Sequence, residues 1–181
     1  MSRINVVERN AASAEQGELL DAIQAQLGMV PNFLKVFANS PVALKAFLGL
    51  HGVAGDGELD GETRERIALA LAQTNSCQYC LSAHTALGRK AGLESAEIAA
   101  NREGASLDDN AAVAVKFALS LAENTGAVTN SELLVVREAG YNDAQIVEII
   151  THVAMNLLTN MLAKASQVSI DFPEVDLKLA G

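Results

Sequence analysis

The chain has 181 residues, half of them apolar, which is enough for one domain with a sizeable core. Its formal net charge is −9 with no Lys/Arg cluster, so nucleic acid and anionic membrane are poor partners for it. Aromatics are scarce and Trp is absent, so Ala, Leu, Val and Ile must build the core, a composition that favours helices over sheets. No uninterrupted apolar run approaches the ~20 residues that cross a bilayer. The opening residues Met1, Ser2, Arg3, Ile4 and Asn5 show no signal-peptide h-region. A cytoplasmic location is the expectation.

Residues 1–14 read as loosely ordered. A helix is expected from Ala14 to Leu27, with Leu19, Leu20, Ile23 and Leu27 on one face, and Gly28 ends it. Pro31 begins a short helix to 39, and Pro41 opens another to about Ala54. Gly55, Asp56 and Gly57 break the chain. Asp60 caps a helix over 61–74 whose apolar residues are nearly continuous, so it is expected to be well buried. Ser76 is a good N-cap for a helix from Cys77 to Lys90, stopped at Ala91 and Gly92. Helices follow over 94–102, Asp108 to Asn124, Ser131 to Ala139, and Asp143 to about Val168. Thr129 and Glu132 form a capping arrangement, and no convincing strand pattern occurs. The expectation is an all-α fold, a compact multi-helix bundle spanning 1–181 as one domain. Residues 1–40 would be an N-terminal helical extension and 41–170 the core.

The chemistry concentrates in one cluster. Both cysteines lie in Cys77-Gln78-Tyr79-Cys80, and His84 follows one helical turn after the second. In a helix these three residues share a face. Cysteines at i and i+3 have β-carbons about 5–6 Å apart, a little wide for a disulfide, but a first helical turn can adjust. The helix N-terminus favours a thiolate at Cys77, whereas His84 is placed to exchange a proton with Cys80. Sequence physics therefore leaves the nucleophile open. Glu65 stands between Arg64 and Arg66, a setting usual for a solvated residue. The functional alternative is that it turns back to orient the His84 ring.

Glu65 followed by Cys77-x-x-Cys80-x-x-x-His84 resembles the signature of alkylhydroperoxidase D-like proteins in the carboxymuconolactone decarboxylase superfamily. The stop at Gly88-Arg89-Lys90-Ala91-Gly92 and the segment Gly140-Tyr141-Asn142-Asp143 are similar to that family too. The resemblance covers about residues 40–170, and the first forty resemble the extra helices of longer, peroxidase-related members. It implies a thiol-dependent peroxidase, an alkyl hydroperoxide reductase of peroxiredoxin type, acting on organic hydroperoxides or hydrogen peroxide. Cys80 would be peroxidatic, Cys77 resolving, and Glu65 with His84 the proton relay. No organic cofactor or metal is implied. A thioredoxin-like or lipoyl dithiol would be the reductant, and a homo-oligomer, trimer or hexamer, the assembly. Well-studied members carry a second histidine between the cysteines, where this chain has Tyr79. A tyrosine can donate a hydrogen bond but cannot shuttle protons near pH 7, which implies a shorter relay, a lower rate or another thiol reaction.

Competing readings exist for each residue. Cys77, Cys80 and His84 with Glu65 could ligate zinc, though all but Glu65 lie on one helix without a second ligand pair. A lactone decarboxylase would not depend on the cysteine pair. A non-catalytic redox sensor or thiol adaptor would form the same disulfide without turnover. His51, among Leu48, Leu50 and Val53, reads as a satisfied semi-buried histidine. Glu148, His152, Asn156 and Asn160 recur every four residues along the last helix. They read as a hydrogen-bonded ladder between helices or subunits, or alternatively as the lining of an active-site cavity. Met29, Met155 and Met161 read as core or interface filler.

Overall fold

The computed structural model describes residues 2–178. Nine α-helices follow a short 3₁₀ turn at Arg9–Ala11, and no strand occurs among the described residues. They are α1 (Ala14–Leu27), α2 (Asn32–Phe37), α3 (Pro41–Ala54), α4 (Gly61–Thr74), α5 (Gln78–Ala91), α6 (Ser95–Arg102), α7 (Asp109–Glu123), α8 (Asn130–Glu138) and α9 (Asp143–Ser166). The fold is all-α, as expected.

The ends of these helices follow from local chemistry. Asp60, Asp108 and Ser40 accept backbone N–H groups of the first turns of α4, α7 and α3. Thr129 with Glu132, Asn142 with Gln145, and Ser13 with Gln16 form reciprocal capping boxes. Gly28 and Gly92 end α1 and α5 in the left-handed region, at φ 77° and 112°.

α4 is the hub, packing on α5, α6, α7 and α9. Its run from Ile67 to Ala72 is at most 2% exposed, so apolar residues occupy every side of it. One core lies between α4, α7, α8 and α9. A second holds Leu69, both cysteines, Tyr79, Leu81 and Val168. A third joins α1, α2 and α3 to Met155 of α9 through Leu20, Ile23, Leu34, Phe37, Leu44 and Phe47. Arg66 and Glu97 form a buried ion pair between α4 and α6, at 2.7 Å with only 11% and 8% of their side chains exposed.

Several expectations need correction. The first residues are not loose. Arg3 N–H donates to the Ser166 carbonyl (2.6 Å), Val7 N–H donates to that of Lys35 (3.2 Å), and the Val7 side chain is buried. Leu27 is exposed, so the buried face of α1 is carried by Leu20 and Ile23. Met155 is core, as expected, and the exposed Met29 and Met161 are left with the interface reading alone. Although polar residues interrupt its sequence, α9 is long and apolar enough overall to cross a bilayer, the only such helix among the described residues. Its polar side instead faces this chain's own interior, with Glu148 part-buried and His152, Asn156 and Asn160 buried.

Candidate active site

Cys77, not Ser76, caps α5. Ser76 takes a positive φ of 52°, which swings the chain so that Cys77 adopts the extended cap conformation. Its Sγ then accepts the Cys80 N–H at 3.4 Å. That bend places the two side chains together, and Cys77 and Cys80 are joined as a disulfide with Cα atoms 5.3 Å apart. Both residues are buried, at 1% and 4% exposure.

α5 lies close against α4 because Gly88 carries no side chain. A Cβ there would meet Leu93 Cδ1 at 3.2 Å, Leu69 Cδ1 at 3.6 Å and Glu65 Cβ at 3.8 Å. The close approach brings His84, one turn before Gly88, to Glu65: His84 Nδ1 and Glu65 Oε2 are 2.9 Å apart. Glu65 is therefore not a solvated surface residue, and its side chain is only 20% exposed beside a His84 at 22%. A neutral imidazole that donates Nδ1–H to the carboxylate keeps the Nε2 lone pair free for a proton from elsewhere. Glu65 and His84 thus meet between α4 and α5, and the Cys77–Cys80 bridge sits at the start of α5, one turn before His84.

Tyr79 has a structural task that its sequence did not disclose. Its hydroxyl donates to Asp171 Oδ1 (2.7 Å) and accepts the Phe33 N–H (3.3 Å). Burial first, then the bond to the Asp171 carboxylate, push its pKa well above the ordinary tyrosine range. Phe33 and Phe172 meet its ring edge-on, with centroids 5.7 and 5.8 Å away. Asp171 and Phe172 belong to a segment without regular secondary structure, 169–178, that crosses the start of α5. Val175 N–H donates to Ser82 Oγ (3.0 Å), and Arg102 Nη2 to the Asp176 carbonyl (2.6 Å). The alternation of Val168, Ile170 and Phe172 was the available signal for this strap.

The polar stripe of α9 is a ladder within this chain. Glu148 accepts the N–H groups of Glu58 (3.0 Å) and Leu59 (2.7 Å), Asn160 Oδ1 accepts Asn75 Nδ2 (2.9 Å), and Asn156 Nδ2 donates to the His152 carbonyl. No group of three or more His, Cys, Asp or Glu side chains converges as a metal site among the described residues.

An all-helical bundle whose central helix pair carries bridged cysteines one turn from a carboxylate–imidazole pair defines the protein's class. The carboxymuconolactone decarboxylase family model matches residues 41–124. A peroxidase-related protein of Ralstonia eutropha JMP134 with an alkylhydroperoxidase AhpD core is 27% identical. That match covers 94% of this chain and 92% of that one, with a TM-score of 0.82. A peroxidase-related protein of Silicibacter sp. TM1040 is also 27% identical, over 92% and 89% of the two chains, at 0.80. The debrominase Bmp8, bound to 2,3,4-tribromopyrrole, shares the fold at 0.76 with 17% identity over 94% and 92%. A curated relative from Haemophilus influenzae is 49% identical over 45 residues, 24% of this chain and 40% of its own length. Residues 41–124 of this chain thus match the carboxymuconolactone decarboxylase family, and over nine-tenths of its length the chain is similar in fold to alkylhydroperoxidase D-like, peroxidase-related proteins.

Proposed function

We propose that this protein is a thiol-dependent peroxidase that reduces organic hydroperoxides or hydrogen peroxide. The observation that carries the reading is the Glu65–His84 pair, 2.9 Å apart, one helical turn beyond the Cys77–Cys80 bridge. In the reduced protein His84 Nε2 takes the thiol proton of Cys80, and Glu65 stabilises the imidazolium. The Cys80 thiolate attacks the terminal peroxide oxygen; the O–O bond breaks, and the alkoxide leaves with the proton from His84. Cys80 is now a sulfenic acid. Cys77 attacks its sulfur, forming the disulfide and releasing water. One hydroperoxide and two thiols become one alcohol, one water and one disulfide. A thioredoxin-like or lipoyl dithiol restores the thiols by exchange.

We also propose a homo-oligomer, a trimer or hexamer, working in the cytoplasm. Support comes from apolar side chains left uncovered on α3 and α9: Val42 and Val53 on one, Val147, Ile150, Leu158 and Met161 on the other.

The test is single-turnover oxidation of the reduced protein by an alkyl hydroperoxide, with thiols counted and mass recorded. Loss of both thiols with a two-hydrogen mass decrease, absent in Cys80→Ser, is expected. Thiols that stay unreacted would overturn the reading. Oxidation without steady-state turnover on an added dithiol would make the protein a redox sensor instead.

A further inference from the structure

A surface helix ordinarily turns its polar side to water. α9 does the reverse. Glu148, His152, Asn156 and Asn160 are turned inward, while Val147, Ile150, Leu158 and Met161 are exposed, with an exposed Ala154 at their centre. Glu148 is the only Asp, Glu, Lys or Arg between Asp143 and Lys164, and it is taken up by the N–H groups of Glu58 and Leu59. At 3.6 residues per turn the five outer residues fall within an arc of about 80°, a stripe roughly 21 Å long. No charge interrupts it.

The order of residues along the stripe says what fits it. On either side of Ala154, apolar side chains stand four and then seven residues away: Ile150 and Leu158, then Val147 and Met161. A stripe with that symmetry is complementary to itself when a second copy lies antiparallel across it. Ile150 of one copy then meets Leu158 of the other, Val147 meets Met161, and Ala154 meets Ala154 at the axis. Steps of three and four residues are those of interlocking helix seams, and the smallest side chain stands where the two helices cross. The ends also match in charge. Asp143, 80% exposed despite its contact with Arg137, comes beside Lys164 of the partner copy, and the same pair repeats at the far end. A lipid surface or an unrelated helix would call for no such symmetry.

We propose that α9 is a two-fold seam: a second copy of this chain packs antiparallel on Val147, Ile150, Ala154, Leu158 and Met161, with the axis at Ala154. Such an interface uses the same patch on both partners. The seam deepens the homo-oligomer proposed above and is independent of the peroxidase reading. It also chooses between the two assemblies, because a hexamer built from three such pairs contains a two-fold axis and a trimer does not. The outer face of α3 is then left for the contacts between pairs.

Cysteines placed on the stripe read the seam directly, because Cys77 and Cys80 are buried and already bridged. In the full chain, Ala154→Cys should form a covalent dimer under diamide at least about tenfold faster than Leu87→Cys, which is exposed on α5. Val147→Cys alone sets its two thiols about 21 Å apart and should not cross-link, whereas co-expression with Met161→Cys should give the mixed covalent dimer. Ala154→Glu sets like charges face to face on the axis and should weaken association at least about tenfold in sedimentation; co-expression with Ala154→Lys should restore it. No covalent dimer from Ala154→Cys, or cross-linking of Val147→Cys with itself, overturns the seam. If the wild type still sediments as an oligomer in that case, the homo-oligomer stands and only its α9 axis is lost. A wild type that sediments as a monomer overturns both, and its capture by phosphatidylcholine vesicles would assign the stripe to a membrane instead.

Discussion

A glutamate flanked by two arginines divides its neighbours between two tasks. Arg64 holds the end of α3, Arg66 pairs with Glu97, and Glu65 is left to His84. Glu65→Gln keeps an acceptor oxygen for Nδ1–H but removes the charge that stabilises imidazolium. It should slow single-turnover thiol oxidation about tenfold, whereas His84→Gln should slow it about a hundredfold. Stopped-flow thiol loss at neutral pH checks both, and equal rates in all three proteins would remove Glu65 and His84 from the chemistry. Glu97 makes a different statement. Its burial favours the neutral acid, but Ser106, Asn101, the Leu107 N–H and Arg66 all bond the carboxylate and hold its pKa down at about 2, below the ordinary 4.5. A depressed folded pKa contributes stability that is complete above the unfolded value and is lost as pH falls from about 4.5 toward 2. Glu97→Gln should therefore be less stable than wild type at pH 7, with the gap narrowing by pH 3. Urea midpoints at the two pH values measure this, and a constant gap would contradict it.

At the scale of elements, the strap over α5 hangs on Tyr79. Tyr79→Phe removes the bond to Asp171 and leaves that carboxylate with the Asn32 N–H alone. The expected cost is about 1–2 kcal/mol, with faster amide exchange of the Val175 N–H, and unchanged exchange there would deny the strap its anchor. Gly57 is a second pivot: a Cβ there would lie 2.6 Å from the Glu148 carboxyl carbon. Gly57→Ala should push Glu148 off the N–H groups of Glu58 and Leu59 and lower the thermal midpoint, by about 1–3 kcal/mol of stability. Most element boundaries were legible because caps and glycines are local signals: Asp60, Thr129 and Gly92 act within a few residues of themselves. The strap was not legible as such, because its partners Tyr79 and Ser82 lie far back in the chain. Ser76 gives up the cap position for a related reason. A good capping side chain says nothing of the positive φ that the α4–α5 turn imposes, and that turn gives the cap to Cys77. The spacing of Glu65 and His84 carried the site only together with Gly88, whose missing side chain decides how near the two helices come.

For the whole molecule, the outer faces of α3 and α9 are the feature a lone protomer leaves unexplained. Val53 and Met161 are 74% and 63% exposed. If copies of the chain cover this surface, Val53→Glu with Met161→Glu should shift sedimentation toward the monomer and leave helicity by circular dichroism unchanged. A wild type that sediments as a monomer would remove the proposed assembly. The strap has a consequence in time as well. Tyr79 and Asp171 are 92 residues apart. At about 5–20 residues per second, the ribosome delivers the strap roughly 5–20 seconds after the thiols. During that interval the nascent Cys77 and Cys80 stand without their cover. Until the strap arrives, exchange with the surrounding thiols and disulfides alone sets the state of the pair; in the finished fold the hydroperoxide and dithiol of the proposed cycle set it.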